Sequence, residues 1–152
     1  MIYRREIDGL RALAVLPVIL FHAGFAVFGG GFVGVDVFFV ISGYLITRIL
    51  IEENRSGNWS ILSFYERRAR RILPALLLVL GVSFALGFVV MLPAEIKGLS
   101  ASLGSVILFV SNFYFMSEVG YFATEAGVQP LLHTWSLAVE EQFYLILPVL
   151  LW

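Results

Sequence analysis

The sequence contains no cysteine, which excludes disulfide bonds and thiolate metal ligands, and no metal centre is expected. Charge is also scarce: only 14% of the residues are Asp, Glu, Lys or Arg, against about a quarter in soluble domains. The formal net charge of −1 gives no reason to expect nucleic acid as a partner. Hydrophobic residues make up 60% of the chain instead.

Two long stretches, residues 12–35 and residues 72–94, contain no charged side chain. About 20 apolar residues suffice for a helix to cross a bilayer. The sequence therefore predicts an all-α fold, a polytopic transmembrane helix bundle of about five spans embedded in the lipid bilayer. The predicted spans are residues 10–28, 32–51, 73–92, 102–116 and 135–152. We expect the first span to remain uncleaved, because further spans follow it.

A polar segment, residues 52–71, separates the second and third predicted spans. Ser63 and Glu66 have the spacing of a capping box, which predicts a short amphipathic helix that starts there and lies at the membrane surface. Pro74 is predicted to mark the point where this helix meets the third span. A second polar segment, residues 117–130, precedes the fifth span.

The basic residues indicate an orientation. Nine of the ten Lys and Arg residues lie at or before Arg71, within residues 4–11 and 48–71. Basic segments favour the cytoplasmic side, and these two flank a hairpin of two spans. A cytoplasmic N-terminus is therefore predicted, in a multi-pass protein of the inner (plasma) membrane. Four complete spans would also place residues 117–130 inside, although that segment has no basic residue.

Ionisable side chains within a span are costly, so each one is a candidate for function. Arg11 and His22 are eleven residues apart, which puts them on one helix face, about 16 Å apart along the axis. Histidine exchanges protons near neutral pH, so His22 could deprotonate an alcohol or act as a nucleophile. The simpler alternatives are a structural hydrogen bond for His22 and a membrane-surface position for the Arg11 charge.

Carboxylates near both ends of the chain are further candidates. Asp36 lies about one turn into the second span, at the depth of His22 in an antiparallel hairpin. It could orient the imidazole and fix its tautomer, or it could stabilise the N-terminus of its own helix, and both interpretations are open. In the fifth span, Glu140 and Glu141 are adjacent and point about 100° apart, so only one readily faces a given site.

A dense group of arginines ends the polar segment: Arg67, Arg68, Arg70 and Arg71. The simpler interpretation is an anchor that contacts anionic lipid headgroups. The more specific interpretation is a phosphate-binding site, here called the phosphate clamp, because a guanidinium group can hydrogen-bond two phosphate oxygens at once.

Four segments resemble, in the same order, the motifs of acyltransferase family 3. They are residues 7–15 (IDGLRALAV, followed by His22), 38–46 (FFVISGYLI), 64–74 (FYERRARRILP) and 132–144 (LHTWSLAVEEQFY). The resemblance implies an enzyme that transfers an acyl group, often acetyl from cytoplasmic acetyl-CoA, to a hydroxyl of a cell-envelope carbohydrate. Lipopolysaccharide, peptidoglycan and exopolysaccharide are acceptors of this class. Acetyl-CoA would be the donor substrate, with no permanently bound cofactor.

The resemblance also implies roles for individual residues. His22 and Arg11 would be the functional pair of the first span, with His22 the leading catalytic residue. Glu140 fits a catalytic partner of His22 better than Glu141 does, and Asp36 is a further candidate for that support. The arginines would hold the CoA donor in one of two registers, Arg67 with Arg70 or Arg68 with Arg71.

The membrane domain of this family has more spans than the five predicted here. We therefore expect residues 1–152 to be the N-terminal portion of an integral membrane acyltransferase domain, completed by a C-terminal half or another subunit. Two other functions fit the same residues. One is a proton-coupled transporter, in which intramembrane His, Asp and Glu relay protons. The other is a non-catalytic membrane subunit, which a co-purifying partner would reveal.

Overall fold

The computed structural model describes residues 5–57, 59–118 and 129–151. These parts are helical and contain no strand, so the all-α prediction is confirmed for them. The helices are α1 (Arg5–His22), α2 (Gly34–Arg55), α3 (Ile61–Val90), α4 (Pro93–Ile107), α5 (Ser111–Glu118) and α6 (Thr134–Leu150). They form two compact units, α1 with α2 and α3 with α4 to α6. Most of the predicted polar segment 117–130, and the last residue of the predicted fifth span, lie outside the described residues.

Helix α1 ends at His22, six residues before the end of the predicted first span. The cause is Gly24, whose φ of +82° turns the chain in a way that favours glycine. Two 3₁₀ turns, Ala26–Phe28 and Gly31–Val33, then lead into α2. The first apolar run is thus a helix followed by a compact turn.

Helices α1 and α2 approach each other at their backbones. A Cβ atom added at Gly34 would lie 2.1 Å from the Ala14 carbonyl oxygen, and one added at Gly31 would lie 2.2 Å from the Pro17 carbonyl oxygen. Apolar helices that lack large side chains at their contact can pack this closely in a membrane. The glycines around position 31 therefore serve helix packing as well as the turn.

The prediction of a separate amphipathic helix starting at Ser63 is wrong. Helix α3 begins at Ile61, with Ser60 as its cap: the Ser63 backbone N–H donates to the Ser60 hydroxyl over 3.4 Å. The helix then continues for 30 residues through Pro74. Proline removes only one backbone hydrogen bond, and an apolar environment strongly favours keeping all the others within the helix.

The predicted continuous fourth span is also wrong. The chain breaks between α4 and α5 at Phe109, which adopts a φ of +53°. The Val110 N–H donates to the Ser105 carbonyl over 2.9 Å. This bond joins residues five apart, so it closes a turn that is wider than a turn of α-helix. At 1.5 Å per residue, α4 and α5 are about 22 and 12 Å long, shorter than the hydrocarbon core of about 30 Å. Apolar side chains of α3, α4 and α5 nevertheless form one core together with Leu131, which precedes α6: Leu76, Leu80, Leu99, Val106, Phe115 and Leu131.

Two described stretches are long and apolar enough to cross a membrane, Gly31–Arg55, which contains α2, and Ile61–Val90, which is α3. Helix α1 is not among these stretches, because four charged residues occupy its first two turns. Side chains on α3 such as Leu78, 68% exposed, and Val89, 82% exposed, suit contact with lipid. The count of five spans and the cytoplasmic N-terminus stay predictions.

Candidate functional site

The His22 imidazole is oriented by its own helix. Its Nδ1–H donates to the Val18 carbonyl oxygen over 2.8 Å, and the ring is exposed. A carbonyl can only accept, so a proton lies on Nδ1, and in the neutral imidazole the lone pair lies on Nε2. The Phe21 ring packs edge-on against the imidazole, with the ring centroids 5.2 Å apart. His22 therefore presents a basic nitrogen in a fixed orientation.

Asp36 does not supply this orientation. It lies in the first turn of α2, is exposed and makes no hydrogen bond to His22 among the described contacts. A carboxylate in a first turn interacts favourably with the partial positive charge of the helix N-terminus. This position suits the helix-terminal interpretation of Asp36, and a supporting role for Asp36 beside His22 stays a prediction.

Arg11 lies on the contact between α1 and α2. Its guanidinium carbon is 4.9 Å from the centroid of the Phe38 ring, within the range of a cation–π interaction. Its Nε atom is buried and has no hydrogen-bond acceptor among the described residues. The Arg11 side chain is thus held against α2.

The four arginines occupy the first half of α3 and face different ways. Arg67, Arg70 and Arg71 are exposed, whereas Arg68 is half-buried. An Arg70 terminal nitrogen lies 2.7 Å from a Glu66 carboxylate oxygen, and both side chains are mostly in solvent. Ion pairs of this kind are weak and easily exchanged for another anion.

Arg68 turns towards α6 and joins a cluster there. Its guanidinium carbon lies 4.0 Å above the centroid of the Tyr144 ring, and the Tyr144 hydroxyl donates to the Glu140 carboxylate. A second tyrosine ties the same two helices together, because the Tyr65 hydroxyl donates to the Leu145 carbonyl over 2.8 Å. The arginine segment and the carboxylate segment of the sequence therefore meet in one cluster.

Glu141 belongs to this cluster as well. Its Oε1 atom is buried without a hydrogen-bond donor among the described residues, and its carboxylate interacts electrostatically with Arg68. Glu140 thus contacts Tyr144 and Glu141 interacts with Arg68, and which of the two glutamates serves the site stays a prediction.

A polar network ties the start of α5 to α6. The Gln142 side-chain amide donates to the Phe109 carbonyl over 2.8 Å and to the Asn112 amide oxygen over 3.0 Å. The Ser111 hydroxyl donates to the Thr134 carbonyl over 3.0 Å. These bonds satisfy polar groups exposed by the break between α4 and α5, and they fix the position of α6.

The predicted residues divide between the two units. His22, Arg11 and Asp36 belong to the unit of α1 and α2, whereas Glu140 and the four arginines belong to the unit of α3 to α6. A partnership between His22 and Glu140 would join the two units and stays a prediction. The sequence interpretation missed Tyr144, although its position four residues after Glu140 is the spacing of neighbours on a helix face.

The sequence matches a known protein family. The family model Acyl_transf_3, described as an acyltransferase domain, matches residues 4–152. No solved structure matches the chain.

Named relatives match almost the entire chain. The O-acetyltransferase OatA of Staphylococcus aureus strain NCTC 8325 / PS 47 is 43% identical over 98% of this chain and 25% of its own length. The peptidoglycan O-acetyltransferase OatA of Listeria monocytogenes serovar 1/2a is 43% identical over 98% of this chain and 24% of its own length. A putative O-acetyltransferase of Staphylococcus aureus strain MSSA476 is 43% identical over 99% of this chain and 25% of its own length. The chain thus spans about a quarter of the length of these relatives.

Proposed function

Because this chain belongs to the acyltransferase 3 family, we propose that it is part of a membrane O-acetyltransferase that modifies a cell-envelope carbohydrate. Acetyl-CoA is the proposed donor, and a sugar hydroxyl is the proposed acceptor. One relative is named for peptidoglycan, which makes a peptidoglycan sugar the first acceptor to test.

The observation that supports this proposal most directly is the orientation of His22. The bond from Nδ1–H to the Val18 carbonyl leaves the Nε2 lone pair free to take a proton. A positioned imidazole of this kind is the most common general base in enzymes. We assign His22 Nε2 as the base that acts on the acceptor hydroxyl.

The reaction balances with a single base. The acceptor oxygen forms a bond to the thioester carbonyl carbon as its proton moves to His22 Nε2. The carbon–sulfur bond then breaks, the sulfur takes the proton from His22, and the products are an acetyl ester and the free thiol of CoA. A route in which His22 itself carries the acetyl group is the other chemical possibility.

Arg11 is proposed to stabilise negative charge. Its guanidinium group is half-buried against Phe38, and its Nε–H has no acceptor among the described residues. A fixed cation in a site shielded from water stabilises an anion more strongly than one in solvent does. Because Arg11 lies about 16 Å along α1 from His22, it suits an anionic part of the donor away from the reacting carbonyl.

The arginine segment of α3 is proposed to hold the phosphates of CoA. Of the two registers, we favour Arg68 with Arg71. Arg68 is already held in place by Tyr144, and Arg71 is exposed one turn further along α3.

The test is transfer of radiolabelled acetyl from acetyl-CoA to peptidoglycan fragments by the intact protein in membrane vesicles. His22→Gln keeps a side-chain donor that can reach the Val18 carbonyl, but it has no basic nitrogen. We expect it to reduce transfer by about 100-fold or more, in line with the loss of a general base. Arg68→Ala together with Arg71→Ala is expected to raise the KM for acetyl-CoA.

The matched control for charge is Lys97→Ala, which removes an exposed cation outside α3. It should leave the KM for acetyl-CoA unchanged. Acetyl transfer at the wild-type rate in His22→Gln would refute the assigned base. An unchanged KM for acetyl-CoA in the variant with both arginine substitutions would refute the phosphate clamp. A labelled acetyl group trapped on His22 would instead indicate the covalent route.

A further inference from the structure

We propose that Tyr144 is a positioning residue that connects the donor-binding arginines to the Glu140 carboxylate. Its ring lies beneath the Arg68 guanidinium group, its hydroxyl donates to Glu140, and only 3% of its surface is exposed. The inference rests on the proposed function, because it assigns separate tasks in acetyl transfer to the two ends of one side chain.

The ring holds Arg68 in one place. A free arginine side chain samples many rotamers, and ordering it on binding weakens affinity for an anion. The distance of 4.0 Å from the guanidinium carbon to the ring centroid is that of a cation–π contact made through the guanidinium face. Such a contact leaves N–H groups at the edge of the guanidinium free for phosphate oxygens.

The hydroxyl holds Glu140. Tyr144 follows Glu140 by four residues in α6, so the two side chains lie on one helix face, and the hydroxyl donates to the carboxylate oxygen Oε1. A hydrogen bond from a buried donor restricts the carboxylate to one rotamer. Glu140 is thereby held at a fixed distance from the arginine segment.

One contact between α3 and α6 does not involve Tyr144. The Tyr65 hydroxyl donates to the Leu145 carbonyl, and Phe64 beside it is buried, with 2% of its surface exposed. We therefore expect substitutions at Tyr144 to alter its own contacts while the Tyr65 bond between α3 and α6 is kept.

The ring and the hydroxyl can be separated by two substitutions. Tyr144→Phe keeps the ring beneath Arg68 and removes only the hydroxyl. Its kcat for acetyl transfer should fall about 10- to 100-fold, the loss that corresponds to a hydrogen bond with a charged group. Its KM for acetyl-CoA should change less than about twofold. Tyr144→Leu removes both contacts, and its KM should also rise, by about 2- to 30-fold.

A second measurement needs no transfer. CoA binding to the purified protein, measured by calorimetry, should be unchanged in Tyr144→Phe and weakened in Tyr144→Leu. Tyr114→Phe is the matched control, since its hydroxyl makes only a 3.4 Å contact with the Gly98 carbonyl, in α4. It should leave kcat, KM and CoA affinity at the wild-type values.

The outcomes separate the two proposals. A wild-type protein that neither transfers acetyl nor binds CoA would refute the proposed function and this inference with it. If the wild-type protein does both, a Tyr144→Phe variant with normal kcat would refute the inference alone. The same holds if Tyr144→Leu binds CoA as tightly as the wild type does. A parallel fall of kcat and CoA affinity in both variants would indicate a merely structural role and would also overturn it.

Discussion

Gly34 meets the backbone of Ala14 so closely that a Cβ atom in its place would lie 2.1 Å from the Ala14 carbonyl oxygen. The opposing atom belongs to the backbone of α1, so rotation of a side chain cannot relieve the clash. The same helix contact places Arg11 over Phe38. The hairpin of α1 and α2 therefore requires the absence of a side chain at position 34.

Gly34→Ala is expected to lower the free energy of unfolding by about 1–3 kcal/mol, the usual cost of overpacking a tight contact. Thermal unfolding of the protein in detergent would measure the change. Gly81→Ala is the matched control, because Gly81 lies in α3 and has no atom within 4 Å of an added Cβ. It should be neutral or stabilising by up to about 1 kcal/mol. Equal losses in both variants would contradict the close contact.

Asn112 and Gln142 provide the second prediction. Gln142→Leu leaves the Phe109 carbonyl and the Asn112 amide without their partner, which should cost about 1–3 kcal/mol of unfolding free energy. Adding Asn112→Leu removes one of the unpaired groups. The double variant should therefore lose less stability than the sum of the two single variants.

A double-mutant cycle of chemical unfolding would measure this coupling. Asn54→Leu, at an exposed position of α2, is the control and should change stability by less than about 0.5 kcal/mol. Strict additivity of the Asn112 and Gln142 substitutions would show that the two amides do not interact.

The sequence pattern predicted the apolar helices well and their breaks poorly. The uncharged run from residue 72 to residue 94 corresponds closely to the apolar part of α3. Pro74 suggested a break in α3, but the helix continues through it. Nothing in the sequence around Phe109 predicted the break between α4 and α5. Hydrophobicity reports where a helix is stable in lipid, but the break at Phe109 depends on side chains that are distant in sequence, above all Gln142.

The candidate site residues were likewise predictable from the sequence only in part. The type and spacing of His22 and Arg11 marked them from the sequence alone, because charge inside an apolar run is conspicuous. The difference between Arg68 and its neighbours could not be predicted. Four arginines in five positions point around the helix, and only the packing of α3 on α6 determines which of them meets Tyr144.

The absence of cysteine allows the predicted orientation to be measured directly, because single cysteines can be introduced into an unreactive background. Val27 lies in the turn between α1 and α2 and is 92% exposed, and Ser56 follows the end of α2 and is also exposed. If basic residues keep the start of the chain and the arginine segment inside, these two positions lie on opposite sides of the membrane.

We expect a membrane-impermeant maleimide to label Val27→Cys in right-side-out vesicles and Ser56→Cys only in inverted vesicles. Both variants should react after detergent is added, and the wild-type chain should not react at all. The reverse pattern would place the arginine segment of α3 outside the cell, where acetyl-CoA from the cytoplasm cannot reach it. The phosphate clamp would then be untenable, whereas the orientation of His22, which is set by the bond to the Val18 carbonyl, would stand as a separate claim.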